Sequence, residues 1–132
     1  MPTVLVIDDQ IELRTLFQRV LERGGYQVIA AEGGEEALRA TEAWKPDLIL
    51  LDLAMPDMDG LEFLRRVRRR SGWQSVPVLI LSGMLSAEQI AAASELGACD
   101  QLVKGQFTTR ELRARVAQFL PPSPSRRTCT AA

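Results

Sequence analysis

The sequence predicts a doubly wound α/β protein, in which five helices cover a parallel sheet of five strands. Five short, mainly apolar segments, at residues 4–7, 27–31, 48–51, 76–81 and 101–103, alternate with segments of helical spacing. The runs at 48–51 and 76–81 are almost continuously apolar, which is typical of strands buried on both faces. Such strands, separated by amphipathic helices, form parallel sheets with helices on both sides.

The size and composition are those of one globular domain. The chain has 132 residues, of which 46% are hydrophobic and 25% are charged, and its net charge is −1. This charge balance gives no electrostatic case for binding nucleic acid or an anionic membrane. No apolar run reaches the roughly 18 residues of a membrane span, and the N-terminus lacks the basic start of a signal peptide. We therefore expect a cytoplasmic protein that binds neither DNA nor membranes.

The domain is expected to occupy residues 1–120. The remaining segment, residues 121–132, begins Pro-Pro-Ser-Pro and has no hydrophobic periodicity. A segment of this composition cannot bury enough apolar surface to fold, so we expect a disordered C-terminal tail. The tail is also too short to form an output domain.

Glycines delimit the first two predicted helices. The first helix ends at Gly24–Gly25, and its apolar face consists of Ile11, Leu13, Leu16, Phe17, Val20 and Leu21. The second helix is expected at residues 35–43, after a pair of glycines, with its inward face formed by Ala37, Leu38 and Thr41.

Polar capping residues mark the starts of the other three helices. Three pairs have the spacing of capping residues, namely Asp59 with Glu62, Ser86 with Gln89, and Thr108 with Glu111. The first pair opens a helix over residues 59–70. The second opens a helix that ends at Gly97, and the third opens one that ends near residue 120.

Four of the five predicted strands end in an acid, a hydroxyl or a lysine. In a parallel sheet with right-handed crossovers, the C-terminal ends of all strands lie at one edge, where such folds bind ligands. The residues delivered there are Asp8 and Asp9 from the first strand, Asp52 from the third, Ser82 from the fourth and Lys104 from the fifth. We therefore expect three acids, one hydroxyl and one lysine to converge.

This set of residues favours a metal-assisted phosphate chemistry. Three carboxylates within a few Å repel one another, and a divalent cation relieves that repulsion. Oxygen ligands favour Mg²⁺ or Mn²⁺ over zinc. Lys104 adds a second positive charge, so the site suits an anion such as phosphate, and a carboxylate nucleophile would give an acyl phosphate. The chain has no histidine, which excludes histidine-based catalytic triads and internal phosphohistidine.

These motifs, taken in order, resemble the receiver domain of bacterial two-component response regulators over roughly residues 3–120. The residues that carry the resemblance are Asp8–Asp9, the segment Leu-Asp-Leu-Ala-Met-Pro-Asp-Met-Asp-Gly around Asp52, Ser82–Gly83, Gly97–Ala98 and Lys104. The resemblance implies a flavodoxin-like fold with strand order 2-1-3-4-5, an order for which a chemotaxis member of this family is a standard example.

The resemblance also implies a role for each residue. Asp52 corresponds to the phosphoacceptor. The Mg²⁺ ligands correspond to Asp9, Asp8 (often through water), Asp52 and the backbone carbonyl of Ala54. Ser82 corresponds to the switch hydroxyl and Lys104 to the lysine that contacts the phosphoryl group. The family receives its phosphoryl group from a histidine kinase or a phosphotransfer protein, and it signals by binding a target or a second copy through the face of helix 4, strand 5 and helix 5.

Two positions depart from the family's pattern. Gly105 stands where proline with a cis peptide bond usually follows the lysine. A cis bond without proline costs roughly 2.5–4 kcal/mol, so we expect a trans bond or a rearranged loop. Gln101 stands where the family usually has an aromatic residue, so aromatic rotation coupled to Ser82 cannot operate here.

The resulting hypothesis is a phospho-accepting signalling domain that is not an enzyme, although it would assist its own phosphorylation and dephosphorylation. One alternative is a degenerate receiver that binds partners without being phosphorylated. A second is a small Mg²⁺-dependent aspartyl-phosphate phosphatase. The haloacid-dehalogenase type requires Asp-x-Asp after the first strand, but Asp9 is followed by Gln10 and Ile11. The arginine-rich run at residues 65–70 is interpreted as a solvated helix face.

Overall fold

The computed structural model describes residues 2–55, 58–83 and 85–120. The proposed C-terminal tail lies outside these residues. Strands and helices alternate along the chain as β1 (Thr3–Ile7), α1 (Ile11–Arg23), β2 (Gln27–Ala31), α2 (Gly34–Ala40), β3 (Leu48–Asp52), α3 (Gly60–Arg68), β4 (Val78–Ser82), α4 (Ala87–Glu95), β5 (Ala98–Val103) and α5 (Thr109–Phe119).

The five strands form one parallel sheet in the order β2-β1-β3-β4-β5. This is the predicted flavodoxin-like arrangement, and the fold prediction is confirmed. The chain moves outward from β1 to β2 and then returns across β1 to β3, so the strand order reverses between β1 and β3. A crevice at the C-terminal ends of the strands is the place where such sheets bind ligands.

Alternate side chains of the strands build one core on each face of the sheet. On one face, Leu5, Ile7, Ile49 and Leu51 pack with residues of α2, α3 and α4, including Ala37, Phe63, Leu64, Val67 and Ala93. On the other face, Val4, Val6, Leu48 and Leu50 pack with residues of α1 and α5, including Phe17, Leu21, Leu112 and Val116. Successive strand residues point to opposite sides of the sheet, and nearly all residues of the central strands are apolar, so both faces are apolar.

The predicted capping residues lie at the starts of their helices. Ser86 and Thr108 each form a reciprocal capping box with the residue three positions later. Asp59 accepts a hydrogen bond from the Glu62 N–H at 2.8 Å. Each cap satisfies a backbone N–H that has no partner within its helix.

Several element boundaries differ from the prediction. β5 begins at Ala98 rather than at residue 101, because Ala-Cys-Asp pairs with β4 without forming an apolar run. β4 begins at Val78 rather than at residue 76, since the Val76 N–H donates to Trp73 in a turn. Helices α2 and α3 are shorter than predicted, and no helix in the described part of the chain is long and apolar enough to cross a membrane.

The arginine-rich run is only partly a solvated surface, so that interpretation was wrong for two of its residues. The guanidinium of Arg70 donates to Thr41 and Leu38 and lies 4.9 Å from the centre of the Trp73 ring. Arg65 and Arg66 remain exposed and pair with Glu62.

Arg68 joins two helices and a loop. Its guanidinium donates to four backbone carbonyls, those of Leu96 at 2.7 Å, Trp73 at 2.6 Å, Val76 at 2.9 Å and Gly97 at 3.2 Å. Burial lowers the pKa of Arg68 from its ordinary value. These bonds fix the C-terminal end of α4 to α3.

Replacing Arg68 with methionine should lower the free energy of unfolding by about 3 kcal/mol, because carbonyls away from bulk water would lose their donors. Urea unfolding of Arg68→Met measures this loss. The exposed neighbour Arg69 provides the matched control, and Arg69→Met should stay within about 0.5 kcal/mol of the original chain. Equal losses in both variants would contradict a specific role for Arg68.

Candidate functional site

The ends of β1 and β3 bring two aspartates side by side. β1 and β3 are paired so that Ile7 lies opposite Leu51. Asp8 and Asp52 therefore follow at neighbouring positions on adjacent strands. Both are buried, with 0% of Asp8 and 2% of Asp52 exposed. Two carboxylates are thus withdrawn from water at the point where the strand order reverses.

Backbone groups on both sides fix these two carboxylates. Asp52 Oδ1 accepts a hydrogen bond from the Ala54 N–H at 3.0 Å. Asp8 Oδ1 accepts from the Gln10 N–H at 2.9 Å. Helix α3 begins directly behind the Asp52 loop at Gly60, where a Cβ atom would lie 2.7 Å from the Asp52 carbonyl oxygen. Only glycine permits this approach of helix and strand.

Lys104 directly follows β5, the outermost strand on one side of the sheet, and its side chain reaches both buried acids. Its Nζ lies 3.0 Å from Asp8 Oδ2 and 3.1 Å from Asp52 Oδ2, where it donates a hydrogen bond. It also donates to Gln10 Oε1 at 3.3 Å. The contact with Asp8 is an ion pair, and it places a positive charge beside a carboxylate that is fully buried.

Burial and charge act in opposite directions on the titration of this site. Burial raises the pKa of Asp52, although the Ala54 N–H and the Lys104 ammonium oppose that shift. Burial alone would lower the pKa of Lys104, but the carboxylates of Asp8 and Asp52 outweigh it, and the pKa is raised. The lysine therefore remains charged between two acids.

The three predicted acids are close enough to share one cation. One carboxylate oxygen from each of Asp8, Asp9 and Asp52 lies within 4.8 Å of the others. Asp9 is exposed, whereas the other two are buried. Hard oxygen donors, including those of the buried Asp8, match the preferences of Mg²⁺. The residues present therefore fit a divalent cation.

The other predicted site residues lie at the same edge. Ser82 is the last residue of β4 and is buried, and its carbonyl accepts from the Lys104 N–H at 2.8 Å. Ala54 is exposed two positions after Asp52. Gln10 was not predicted as a site residue, but it lies at the N-cap position of α1 and its Oε1 accepts a hydrogen bond from Lys104. Its position directly after Asp8–Asp9 was the available signal.

Comparison with known proteins agrees with this fold and site. A family model described as the response regulator receiver domain matches residues 4–117. The chain is 42% identical over 117 residues to the alkaline phosphatase synthesis transcriptional regulatory protein PhoP of Bacillus subtilis, covering 89% of this chain and 48% of that protein. The chain thus spans about half the length of the curated relatives matched first.

Two further similarities involve proteins that the chain covers almost completely. It is 35% identical to sporulation initiation phosphotransferase F of Bacillus subtilis, covering 89% of this chain and 93% of that protein. The solved structure of the Vibrio cholerae chemotaxis protein CheY4 superposes with a TM-score of 0.82 at 34% identity, covering 88% of this chain and 96% of that one.

The protein belongs to the response regulator receiver domain family. It is a receiver domain of two-component systems, a class whose signalling depends on phosphorylation. The resemblance identified from the sequence is therefore confirmed.

Removing the charge of Lys104 should destabilise the domain at neutral pH by about 3 kcal/mol, because two buried carboxylates would lose their counter-ion. One of the two acids would then have a strongly raised pKa, and a raised folded-state pKa costs stability as the pH rises through it. Urea unfolding of Lys104→Met should consequently show stability recovering between pH 7 and pH 5 more than in the original chain.

The chain's other lysine provides the control for this experiment. Lys45 is exposed and donates to the Gly72 carbonyl at 3.1 Å, so Lys45→Met should change stability by at most about 0.5 kcal/mol. An equal effect of the two substitutions, or a Lys104→Met variant without the added pH dependence, would contradict this account of the site.

Proposed function

We propose that Asp52 is the residue that accepts the phosphoryl group. The observation that carries this proposal is the environment of its carboxylate, which is buried, fixed by the Ala54 N–H and 3.1 Å from the Lys104 ammonium. Such an acid is oriented for attack, and a cation lies where negative charge would develop.

The proposed reaction is a phosphoryl transfer to the carboxylate. One oxygen of Asp52 forms a bond to phosphorus while the bond from phosphorus to the donor breaks, and the donor keeps that electron pair. The donor is a phosphohistidine on a sensor kinase or phosphotransfer protein, and acetyl phosphate can replace it. The product is an acyl phosphate, and its hydrolysis by water returns Asp52 to its free form.

Asp8, Asp9, Asp52 and the carbonyl of Ala54 are proposed to hold Mg²⁺, which Mn²⁺ could replace. The bound cation supplies charge stabilisation at the phosphoryl oxygens. In this assignment the exposed Asp9 is a direct ligand, and the buried Asp8 acts through water. The clustering of the three acids supports this set.

Lys104 and Ser82 are proposed to contact the transferred group. The ammonium of Lys104 lies between Asp8 and Asp52, so it can pair with a phosphoryl oxygen after a small displacement. Ser82 ends β4, which lies between β3 and β5 in the sheet. Its hydroxyl is proposed to bind the phosphoryl group and thereby shift the start of α4.

The signal is proposed to leave through the face formed by α4, β5 and α5. A cavity of about 170 Å³ extends from the site towards this face and is lined by Ser82, Gly83, Leu85, Ile90, Gln101, Leu102 and Val103. Ile90 is 39% exposed and Gln101 is also exposed. Because Gln101 replaces the usual aromatic residue, movement of the backbone and polar contacts would transmit the change to a target protein or a second copy.

Incubation with acetyl phosphate and Mg²⁺ should add the mass of one phosphoryl group to the protein. The adduct should be absent from Asp52→Asn and present in Asp59→Asn, because Asp59 is an exposed acid that caps α3. Intact mass spectrometry measures both. An unchanged adduct in Asp52→Asn would contradict the assignment of the acceptor.

The same measurement distinguishes the alternatives. A protein that binds Mg²⁺ but forms no adduct would be a degenerate receiver. Rapid turnover of a small phosphoester, with little adduct, would indicate a phosphatase.

Removal of the cation should abolish phosphorylation, because the charge that offsets the phosphoryl oxygens would be lost. Chelation with EDTA should prevent the adduct, and added Mg²⁺ should restore it. Asp9→Asn should weaken Mg²⁺ binding in calorimetry by at least about tenfold. Glu12, an exposed acid in the first turn of α1, supplies the control, and Glu12→Gln should bind Mg²⁺ almost unchanged. Equal weakening in both variants would indicate a general charge effect.

A further inference from the structure

Gly105 differs from the other glycines with positive φ in the described chain. Four glycines have φ between 81° and 93°, namely Gly25, Gly72, Gly97 and Gly105. Gly25 and Gly97 lie two residues beyond α1 and α4, where helices commonly end on glycine, and Gly72 lies in the turn from Arg70 to Trp73 that follows α3. Gly105 instead follows a strand, directly after the lysine that reaches the buried acids. Its backbone conformation therefore serves a purpose other than ending a helix.

Gly105 is the third residue of a tight turn that begins at Val103. The Gln106 N–H donates to the Val103 carbonyl at 3.0 Å and closes the turn. Positive φ at the third position is the requirement of a type II turn, which glycine meets without steric cost. Lys104 occupies the second position. The direction in which its side chain leaves the sheet is thus set by this turn.

Both ends of the turn are attached to the fold. At the start, the Lys104 N–H donates to the Ser82 carbonyl at 2.8 Å, which continues the pairing of β4 and β5. At the far end, the ring of Phe107 stacks on Phe17 of α1, with the ring centres 6.1 Å apart. The chain must reverse between these two attachments. A different conformation at Gly105 would therefore displace Lys104 or Phe107.

The space around Gly105 separates the effect of conformation from that of packing. A Cβ atom built at this position would meet nothing within 4 Å. An alanine would therefore be disfavoured by the positive φ alone and not by a clash. Proline, whose φ is near −65°, cannot adopt this conformation at all. The peptide bonds of the described residues are all trans, so this loop differs from the cis-proline pattern of its family.

We propose that Gly105 is a positioning residue for phosphoryl transfer. Its positive φ permits the turn that directs the Lys104 ammonium towards Asp8 and Asp52. This inference rests on the proposed function of Lys104 and Asp52. It assigns the placement of Lys104 to a glycine turn at the position where proline usually follows the lysine in the family.

The first test is the rate of phosphorylation by acetyl phosphate with Mg²⁺. Gly105→Ala should react about five- to thirtyfold more slowly, which corresponds to the cost of placing alanine at positive φ. Gly105→Asn should react within about threefold of the original chain, since asparagine tolerates this region of backbone conformation. Recovery in the asparagine variant would show that conformation, rather than the absence of a side chain, is required.

Two comparisons separate positioning from a general loss of stability. Gly25 has a φ of 93° and the same empty surroundings, but it lies beyond α1 at the opposite edge of the sheet. Gly25→Ala should be destabilised to a similar extent and should react at the original rate. In a Lys104→Gln background, Gly105→Ala should cause no further slowing beyond about twofold, because the group that the turn positions is already missing.

The affinity for Mg²⁺ gives a second readout that does not depend on phosphoryl transfer. Lys104 occupies the space between Asp8 and Asp52, so Lys104→Gln should bind Mg²⁺ more tightly. Gly105→Ala should also bind Mg²⁺ more tightly in the original background. In the Lys104→Gln background, it should not increase the Mg²⁺ affinity further. Calorimetric titration with MgCl₂ measures all four proteins.

The outcomes for the proposed function and for this inference can be told apart. An adduct that requires Asp52 supports the proposed function whatever Gly105→Ala does. With that adduct present, a Gly105→Ala rate equal to the original, or equal slowing with and without Lys104, overturns the inference. A chain that neither forms the adduct nor binds Mg²⁺ refutes the proposed function, and the inference that rests on it is refuted as well.

Discussion

The burial of two like charges at adjacent strand ends is the constraint around which this domain is arranged. Parallel pairing of β1 and β3 places Asp8 beside Asp52, and both side chains are withdrawn from water. Their repulsion would raise the pKa of at least one of them if no cation were near. Lys104 supplies that cation from β5, with β4 lying between it and β3. The lysine therefore contributes to stability as well as to the proposed chemistry.

The fold could be predicted from the sequence because most of its elements carry a strong periodic signal. The apolar runs predicted for β3 and β4 overlap the observed strands, and the capping pairs of α3, α4 and α5 mark the observed helix starts. The first half of β5 was missed, since edge pairing with β4 does not require apolar side chains on both faces. The role of Arg68 was also missed. A guanidinium that donates to carbonyls far away in the sequence has no local pattern.

The candidate site was predictable as a set of residues but not as a network of contacts. The rule that parallel strands end at one edge was enough to group Asp8, Asp9, Asp52, Ser82 and Lys104. It could not show that Gln10 accepts a hydrogen bond from the lysine, because that contact depends on where α1 begins. Gly105 was recognised from the sequence as a departure from the family. Its positive φ, which relates it to Lys104, became apparent only in the folded chain.

The contacts of Arg68 hold the C-terminal end of α4 in place. Hydrogen bonds to Leu96 and Gly97 anchor the C-terminal end of this helix, whereas Ala93 is its one buried residue. The opposite end follows Leu85, which together with Ser82 lines the cavity below Ile90. In the proposed switch, a displacement at Ser82 would therefore reach the N-terminal end of α4 and its exposed Ile90, while Arg68 holds the C-terminal end. The residue that holds α4 therefore belongs to α3 and lies outside the acidic site.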